Sequence, residues 1–289
     1  MRYEGNIFRP PSEANSLIIQ ATRGCSYNKC TFCAMYQDVR FKIRPVDAIA
    51  EDIAMAREYL GPQVRRVFLA DGDALIVKTE RLLEIIDLLE ASFPDLQRIG
   101  VYATPQALLI KSSDELEALR ARKLRMLYLG VESGSETVLE RLKKGVSCDQ
   151  MITAGQRAVA AGMKLSTMII LGAGGPELSA EHARESGLLL SAINPRFIST
   201  LTMMVVPQAP IYEEARQEQY IPPTPRQTIE ELRGLIAHLD VSGAIFRANH
   251  VSNLATPAGS LPKDKERMLA ELDTVLAGAI PDEFGLRGF

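Results

Sequence analysis

Short apolar runs alternate with amphipathic stretches of helical period along most of this chain. That alternation narrows the fold before any single residue is weighed. Leu17–Thr22, Val64–Ala70, Arg98–Ala103, Arg125–Val131, Lys164–Leu171 and Arg196–Val206 read as six strands, rich in Val, Ile, Leu and Tyr. Between the first two, Pro45 opens a helix, Gly61 closes it, and Val46, Ile49, Ile53, Ala56 and Leu60 share one face. Further helices are expected at Thr79–Ala91, from Ser112 to about Arg122 behind a Ser112/Glu115 capping box, at Glu136–Lys144, at Asp149–Ala161 and at Ser179–Ala192. Repeated βα units imply a parallel sheet, and six of them suit an open, partial (β/α)6 barrel. Such sheets bind ligands at the carboxyl ends of their strands, where the polar and glycine-rich turns of this chain fall.

After the sixth strand, Pro207, Pro210, Pro222, Pro223 and Pro225 mark a long irregular crossing. A helix at Arg226–Leu239, a short strand near Gly243–Arg247 and a helix at Lys263–Ala279, set between Pro262 and Pro281, follow it. The organisation expected is an N-terminal arm (1–16), a core barrel (17–210) and a short C-terminal α/β extension (211–289) that completes the barrel mouth. The 289 residues carry a net charge of −3, which supplies no global field to draw nucleic acid, although a local basic patch stays open. The first sixteen residues lack the apolar core of a signal peptide, and no apolar run approaches the ~20 residues needed to span a bilayer. A cytoplasmic protein with reduced thiols and no membrane partner is therefore expected.

Three of the four cysteines, Cys25, Cys30 and Cys33, stand in Arg23–Tyr36 (RGCSYNKCTFCAMY) at C-x4-C-x2-C, just after the first strand. Clustered thiolates in a reducing compartment indicate a metal site and not a disulfide framework. The loop resembles that of the radical S-adenosylmethionine (radical SAM) enzymes, with Phe32 before the last cysteine, as in that family's aromatic pattern. The segment GVESGSETVLERLKKG after the fourth strand is similar to the matching segment of its methylthiotransferase-like and coproporphyrinogen-oxidase-like branches. The resemblance covers roughly 17–210, and departs from the commonest C-x3-C-x2-C by one residue in the first gap. It implies that three thiolates hold three irons of a [4Fe-4S] cluster while S-adenosylmethionine (SAM) chelates the fourth. It implies reductive cleavage of SAM to a 5′-deoxyadenosyl radical that abstracts hydrogen from a small-molecule substrate. It also implies an electron donor such as flavodoxin or ferredoxin. No further cysteine group is present, so one cluster is expected. Two readings of other classes stand beside this one: a zinc-bound, non-catalytic binding module, and an iron–sulfur electron carrier that never cleaves SAM. Cys148 reads as a small hydrophobe at a helix start.

The resemblance assigns further residues. Asp71-Gly72-Asp73 takes the place of a Gly-Gly-Glu type turn that meets the SAM amino group; alternatively Asp73 caps a helix. Glu132, assisted by Ser133, falls where the SAM ribose or amino group is contacted; alternatively it caps the next helix. Arg184 falls where a basic residue pairs with the SAM carboxylate, or else it lies on a solvated helix face. The glycine-rich turn 172–176 reads as a close backbone approach to the adenosyl moiety. For the substrate, the polar cluster Arg247, Asn249, His250 and Asn253 after the last short strand is the candidate, with Tyr102 near the end of the third.

Overall fold

A computed structural model of the chain describes residues 1–280, so Pro281 lies outside the described residues. The chain forms two compact units, residues 1–28, 35–129 and 157–165 in one, and 29–34, 130–156 and 166 onward in the other.

The first unit contains strands β1 (Leu17–Gln20), β2 (Thr22–Arg23), β3 (Lys42–Ile43), β4 (Arg66–Ala70), β5 (Arg98–Ala103) and most of β6 (Leu124–Glu132). Its helices are α1 (Val46–Leu60), α2 (Thr79–Ser92), α3 (Pro105–Ile110) and α4 (Ser113–Ala121). β1, β4, β5 and β6 pair in parallel in that order, with Ile18 beside Phe68, Phe68 beside Gly100 and Tyr102 beside Tyr128. Val67 to Ala70 are all fully buried, as expected of a strand covered on both faces. The N-terminal arm packs inward. Glu13 is fully buried and accepts from Arg98, Tyr128 and Ser16, and a Cβ at Gly100 would come within 2.9 Å of its carboxylate.

The second unit takes up the end of β6 and adds α5 (Glu136–Arg141), most of α6 (Cys148–Ala160) and of β7 (Lys164–Leu171), α7 (Gly175–Ile193) and β8 (Phe197–Thr202). It ends with α8 (Ile211–Arg216), α9 (Pro225–His238), β9 (Ile245–Arg247), β10 (Ala258–Ser260) and α10 (Lys265–Ala277). β7, β8 and β9 are parallel, and β10 runs antiparallel on β9. The strand order β1-β4-β5-β6-β7-β8-β9-β10 is that of a mostly parallel, eight-stranded α/β sheet, so the expected class holds.

Local signals decide most boundaries. Ser112 and Glu115 form the reciprocal capping box, and Gly61 ends α1. Four departures have local causes. The first strand stops at Gln20, because Thr22 and Arg23 turn aside to pair antiparallel with Ile43 and Lys42. α3 begins at Thr104-Pro105, with Thr104 accepting from the Ala107 N–H and proline at a position that needs no donor. α7 starts inside the glycine-rich turn, at Gly175-Pro176, and not at Ser179. β8 ends at Thr202, where Asn253 and Ser252 take over its edge groups.

Candidate functional site

In the first unit the site is built where β1 and β4 end. Asp71 is buried, and its Oδ2 accepts from Gln20 Nε2 at 2.9 Å and from the Gly24 N–H at 3.2 Å. Its Oδ1 is buried without a partner. Burial pushes this carboxyl above the usual carboxylate range, against the opposing pull of the Gln20 and Gly24 bonds and of Arg23. Asp73 is spent differently: Ser26 Oγ, the Thr104 N–H and Thr104 Oγ1 all donate to it. It does not cap the short turn of 3-10 helix at Ala74–Ile76 with its side chain. Between the two, Gly72 comes so close to the cysteine loop that a Cβ there would sit 2.5 Å from Tyr36 Cε2 and 3.0 Å from Cys25 Cβ. Tyr102 is half-buried and stacks edge-on against Phe68 and Tyr128; burial first, then Tyr128, Asp71 and Glu13, raises its pKa.

Cys30, Phe32 and Cys33 fall in the second unit. There the Thr31 N–H donates to Leu142 O at 3.0 Å and the Ile211 N–H donates to Thr31 O at 2.9 Å, which ties this part of the loop to α5 and α8. Phe32 packs against the buried cluster of Val138, Leu142, Ile170 and Ala173. Lys144 Nζ stands 5.9 Å from its ring centroid and donates to Glu132 Oε1 at 2.9 Å, with both charged side chains about nine-tenths buried. Glu132 ends β6 with a left-handed backbone, φ +68°. Its carboxylate folds back over Gly130, into the space that a Cβ at 130 would fill. Glu132 does not cap α5; Ser135 does, accepting from the Val138 N–H. Ser133 is fully buried, hydrogen-bonded to His182 Nδ1 at 2.8 Å.

The remaining sequence candidates separate. Arg184 lies on the exposed face of α7, ion-paired with Glu185; the residue that this helix turns inward is His182. Asn253 is buried and fully engaged, donating to Thr200 O and Ala248 O and accepting from Thr202 Oγ1, so it braces the loop after β9. His250 bonds Ser252, and burial lowers its pKa. Arg247 and Asn249 are exposed, alternating with buried Phe246 and Ala248. Cys148 donates its thiol to Gly134 O at 3.0 Å, and burial, then Glu136, pushes its pKa up to about 12, so it stays protonated and structural.

None of the four cysteines is in a disulfide. Among the described residues, no three His, Cys, Asp or Glu side chains are gathered as a ready-made metal site. The donor set nevertheless fits an iron–sulfur cluster with SAM. The thiols stand in one short loop, the Gly72 backbone is pressed against Cys25, and Asp71 brings an unpartnered acceptor beside it. Sequence reasoning does not single out Lys144 or Thr104. Lys144 reads as the last residue of the helix from Glu136, which in the structure ends at Arg141, and Thr104 meets Asp73 across 31 residues.

The model of the radical SAM superfamily matches residues 19–186. A probable threonylcarbamoyladenosine tRNA methylthiotransferase of Methanothermobacter thermautotrophicus is 27% identical over 197 residues, 65% of this chain and 45% of that protein. A GTP 3′,8-cyclase of Ectopseudomonas mendocina is 25% identical over 271 residues, 90% of this chain and 75% of that protein. Among solved structures, coproporphyrinogen III oxidase from Escherichia coli, a radical SAM enzyme, superposes with a TM-score of 0.59 at 19% identity, over 77% of this chain and 51% of that one. The chain spans less than half the length of the first curated relatives it matches, 23–45% of them, and the structural likeness speaks for the fold alone.

Proposed function

The chain belongs to the radical SAM superfamily, a family of enzymes that use a [4Fe-4S] cluster and SAM, and from that premise we propose which of its residues serve the reaction. Cys25, Cys30 and Cys33 are the cluster ligands, leaving one iron open to SAM. When bound, the cluster and SAM together supply one electron and the 5′-deoxyadenosyl radical that abstracts hydrogen from the substrate. Everything else is positioning by the chain. Gly72 lets the backbone lie against Cys25, and the free oxygen of Asp71 accepts from the SAM amino group. Asp73 holds that turn through Ser26 and Thr104. Glu132, held in place by Lys144, accepts ribose hydroxyls or the amino group, and the Gly172 turn lies along the adenosyl moiety. Phe32 anchors the cysteine loop on its apolar cluster. For a small-molecule substrate, Arg247 and Asn249 are the contacts offered by the second unit and Tyr102 the one offered by the first, and a flavodoxin or ferredoxin delivers the electron.

The observation that supports this reading best is the junction of Gly72, Cys25 and the unpartnered Asp71 oxygen. Family membership sets aside the non-catalytic zinc module. The test is anaerobic reconstitution. The wild-type chain should take up about four irons and four sulfides and release 5′-deoxyadenosine from SAM only with reductant. A Cys25→Ala, Cys30→Ala, Cys33→Ala triple variant should do neither. A cluster without SAM cleavage would make the chain an electron carrier and overturn the proposal.

A further inference from the structure

The first residue after β7, Gly172, is held from both sides by the C-terminal part of the second unit. Its N–H donates to Glu231 Oε1 at 2.6 Å, and its carbonyl accepts from Tyr220 Oη at 2.9 Å. Its φ of +82° is a glycine conformation, and a Cβ there would meet Pro223 Cγ at 3.0 Å. Glu231 stands on α9 at 2% exposure, and its other oxygen accepts from Ser179 Oγ. Oε1 also lies 3.5 Å from Nε2 of His182, which is fully buried on α7. His182 Nε2 donates to Ile170 O at 3.0 Å, so Nδ1 is left to accept from Ser133 Oγ at 2.8 Å. Ser133 Oγ accepts in turn from the Ser135 N–H, and Ser186 Oγ accepts from the Gly134 N–H at 2.8 Å.

Two runs of buried hydrogen bonds, one from Glu231 to Gly172 and Ser179 and one from His182 to Ile170 and Ser133, thus meet at the 3.5 Å approach of Glu231 Oε1 to His182 Nε2 and connect the turn after β7 to the turn after β6. The anchor of the first, Glu231, lies outside residues 19–186, the stretch that the family model matches. Burying a carboxylate and an imidazole here is costly. Replacing buried polar or charged pairs by apolar side chains of the same volume often costs a fold nothing, because desolvation takes back much of what such a pair returns. What apolar residues could not do is fix the backbone groups at 133–135 and 170–172 in one arrangement.

We propose that Glu231, acting through His182, is a positioning residue that sets the turns after β6 and β7 for SAM. This rests on the reading above, in which those turns meet SAM. Carboxylate, imidazole and serine hydroxyl are then parts of one brace, and the C-terminal segment is part of the cofactor site although it need not touch the cofactor.

The experiment compares Glu231→Ala, Glu231→Gln, Tyr220→Phe and a control, Leu235→Ala. Leu235 is fully buried on the same helix, one turn beyond Glu231, and its apolar side chain takes no part in the hydrogen bonds. For each cluster-loaded protein, three quantities are read: the SAM dissociation constant by equilibrium dialysis, the melting temperature, and hydrogen–deuterium exchange around Gly172. Glu231→Ala should weaken SAM about tenfold or more and speed exchange at 172, the scale of losing a charged partner to a backbone N–H. Glu231→Gln keeps an acceptor for Gly172 and should stay within about threefold of wild type; Tyr220→Phe, losing one neutral bond, should fall about threefold. Leu235→Ala should lower the melting temperature yet leave SAM affinity unchanged. The proposal is overturned if Glu231→Ala binds SAM like wild type, or if Leu235→Ala weakens SAM as much as Glu231→Ala does. A wild-type protein that loads its cluster but does not bind SAM would overturn the functional reading itself, and this inference with it.

Discussion

After β4 the chain leaves the sheet through Asp71-Gly72-Asp73, and after β6 through Glu132-Ser133-Gly134. Both turns put carboxylates at the end of a buried parallel strand, yet they use them in opposite ways. At the first, Asp73 is consumed by Ser26 and Thr104, while Asp71 keeps one oxygen without a partner. At the second, the acid has a cation of its own: Glu132 is paired with Lys144, and Ser133 is bound into the core through His182. An unpartnered buried acceptor waits for a donor from outside the protein. A paired one is already neutralised, and a ligand must compete with the lysine for it. The first turn therefore suits an ammonium. The second suits hydroxyl groups, which can join Glu132 without displacing Lys144.

This contrast can be broken by substitution. Removing the cation at the second turn should have the largest effect on stability. Lys144→Met leaves Glu132 buried and alone, and we expect a loss of about 3 kcal/mol in urea unfolding. Unchanged stability would mean that Glu132 reaches water and that the two turns are not opposites. Within the first turn, Asp73→Asn should cost about 2 kcal/mol, because the new amide meets donors already directed at it. Asp71→Asn should cost less in stability but weaken SAM about tenfold, since an amide is a poorer partner for an ammonium. The reverse ranking in SAM affinity would move the ligand contact to Asp73.

The smallest effect concerns the support beneath the first turn. Arg44 donates to Gln20 O and to Asp52, and Gln20 in turn holds Asp71. Burial alone would raise the Asp52 pKa, but its bonds to Arg44 and Arg2 outweigh burial and lower it. A folded-state pKa below the unfolded one means that the pair contributes its stability above the unfolded value and loses it as pH falls through the folded value. Urea midpoints should therefore decline modestly on acidification, and Asp52→Asn should flatten that slope. A slope unaffected by the substitution would show that Asp52 is not what acid attacks.

The repeated βα units, the cysteine spacing and the Ser112/Glu115 capping box were legible because each is a local pattern that the backbone obeys directly. Asp71 and Asp73 were legible as a pair but not as individuals. What separates them is a set of partners 31 to 51 residues away in sequence, Thr104 on one side and Gln20 on the other. The β2–β3 ribbon is two residues on each strand, too short for any period to register. Arg184 and His182 show the limit most plainly. Both lie in the α7 sequence, and a basic residue there draws notice as an anion partner. Only the helix's buried face, with Ala183, Ser186, Leu189 and Leu190, says that the histidine is the one turned inward. The polar cluster 247–253 likewise mixed two exposed side chains with Asn253, whose amide belongs to the scaffold.

The fold-back of Glu132 over Gly130 has a bearing on how this strand end can change by mutation. A side chain at 130 is excluded chiefly by its own neighbour two places on, since the obstruction nearest to a Cβ there is the Glu132 carboxylate, with Lys144 next. The two positions should therefore vary as a unit. In a saturation library, glycine at 130 should be favoured wherever glutamate is kept at 132, and less strongly wherever 132 becomes small. A larger residue at 130 requires the Glu132 carboxylate, and with it the Lys144 ion pair, to move.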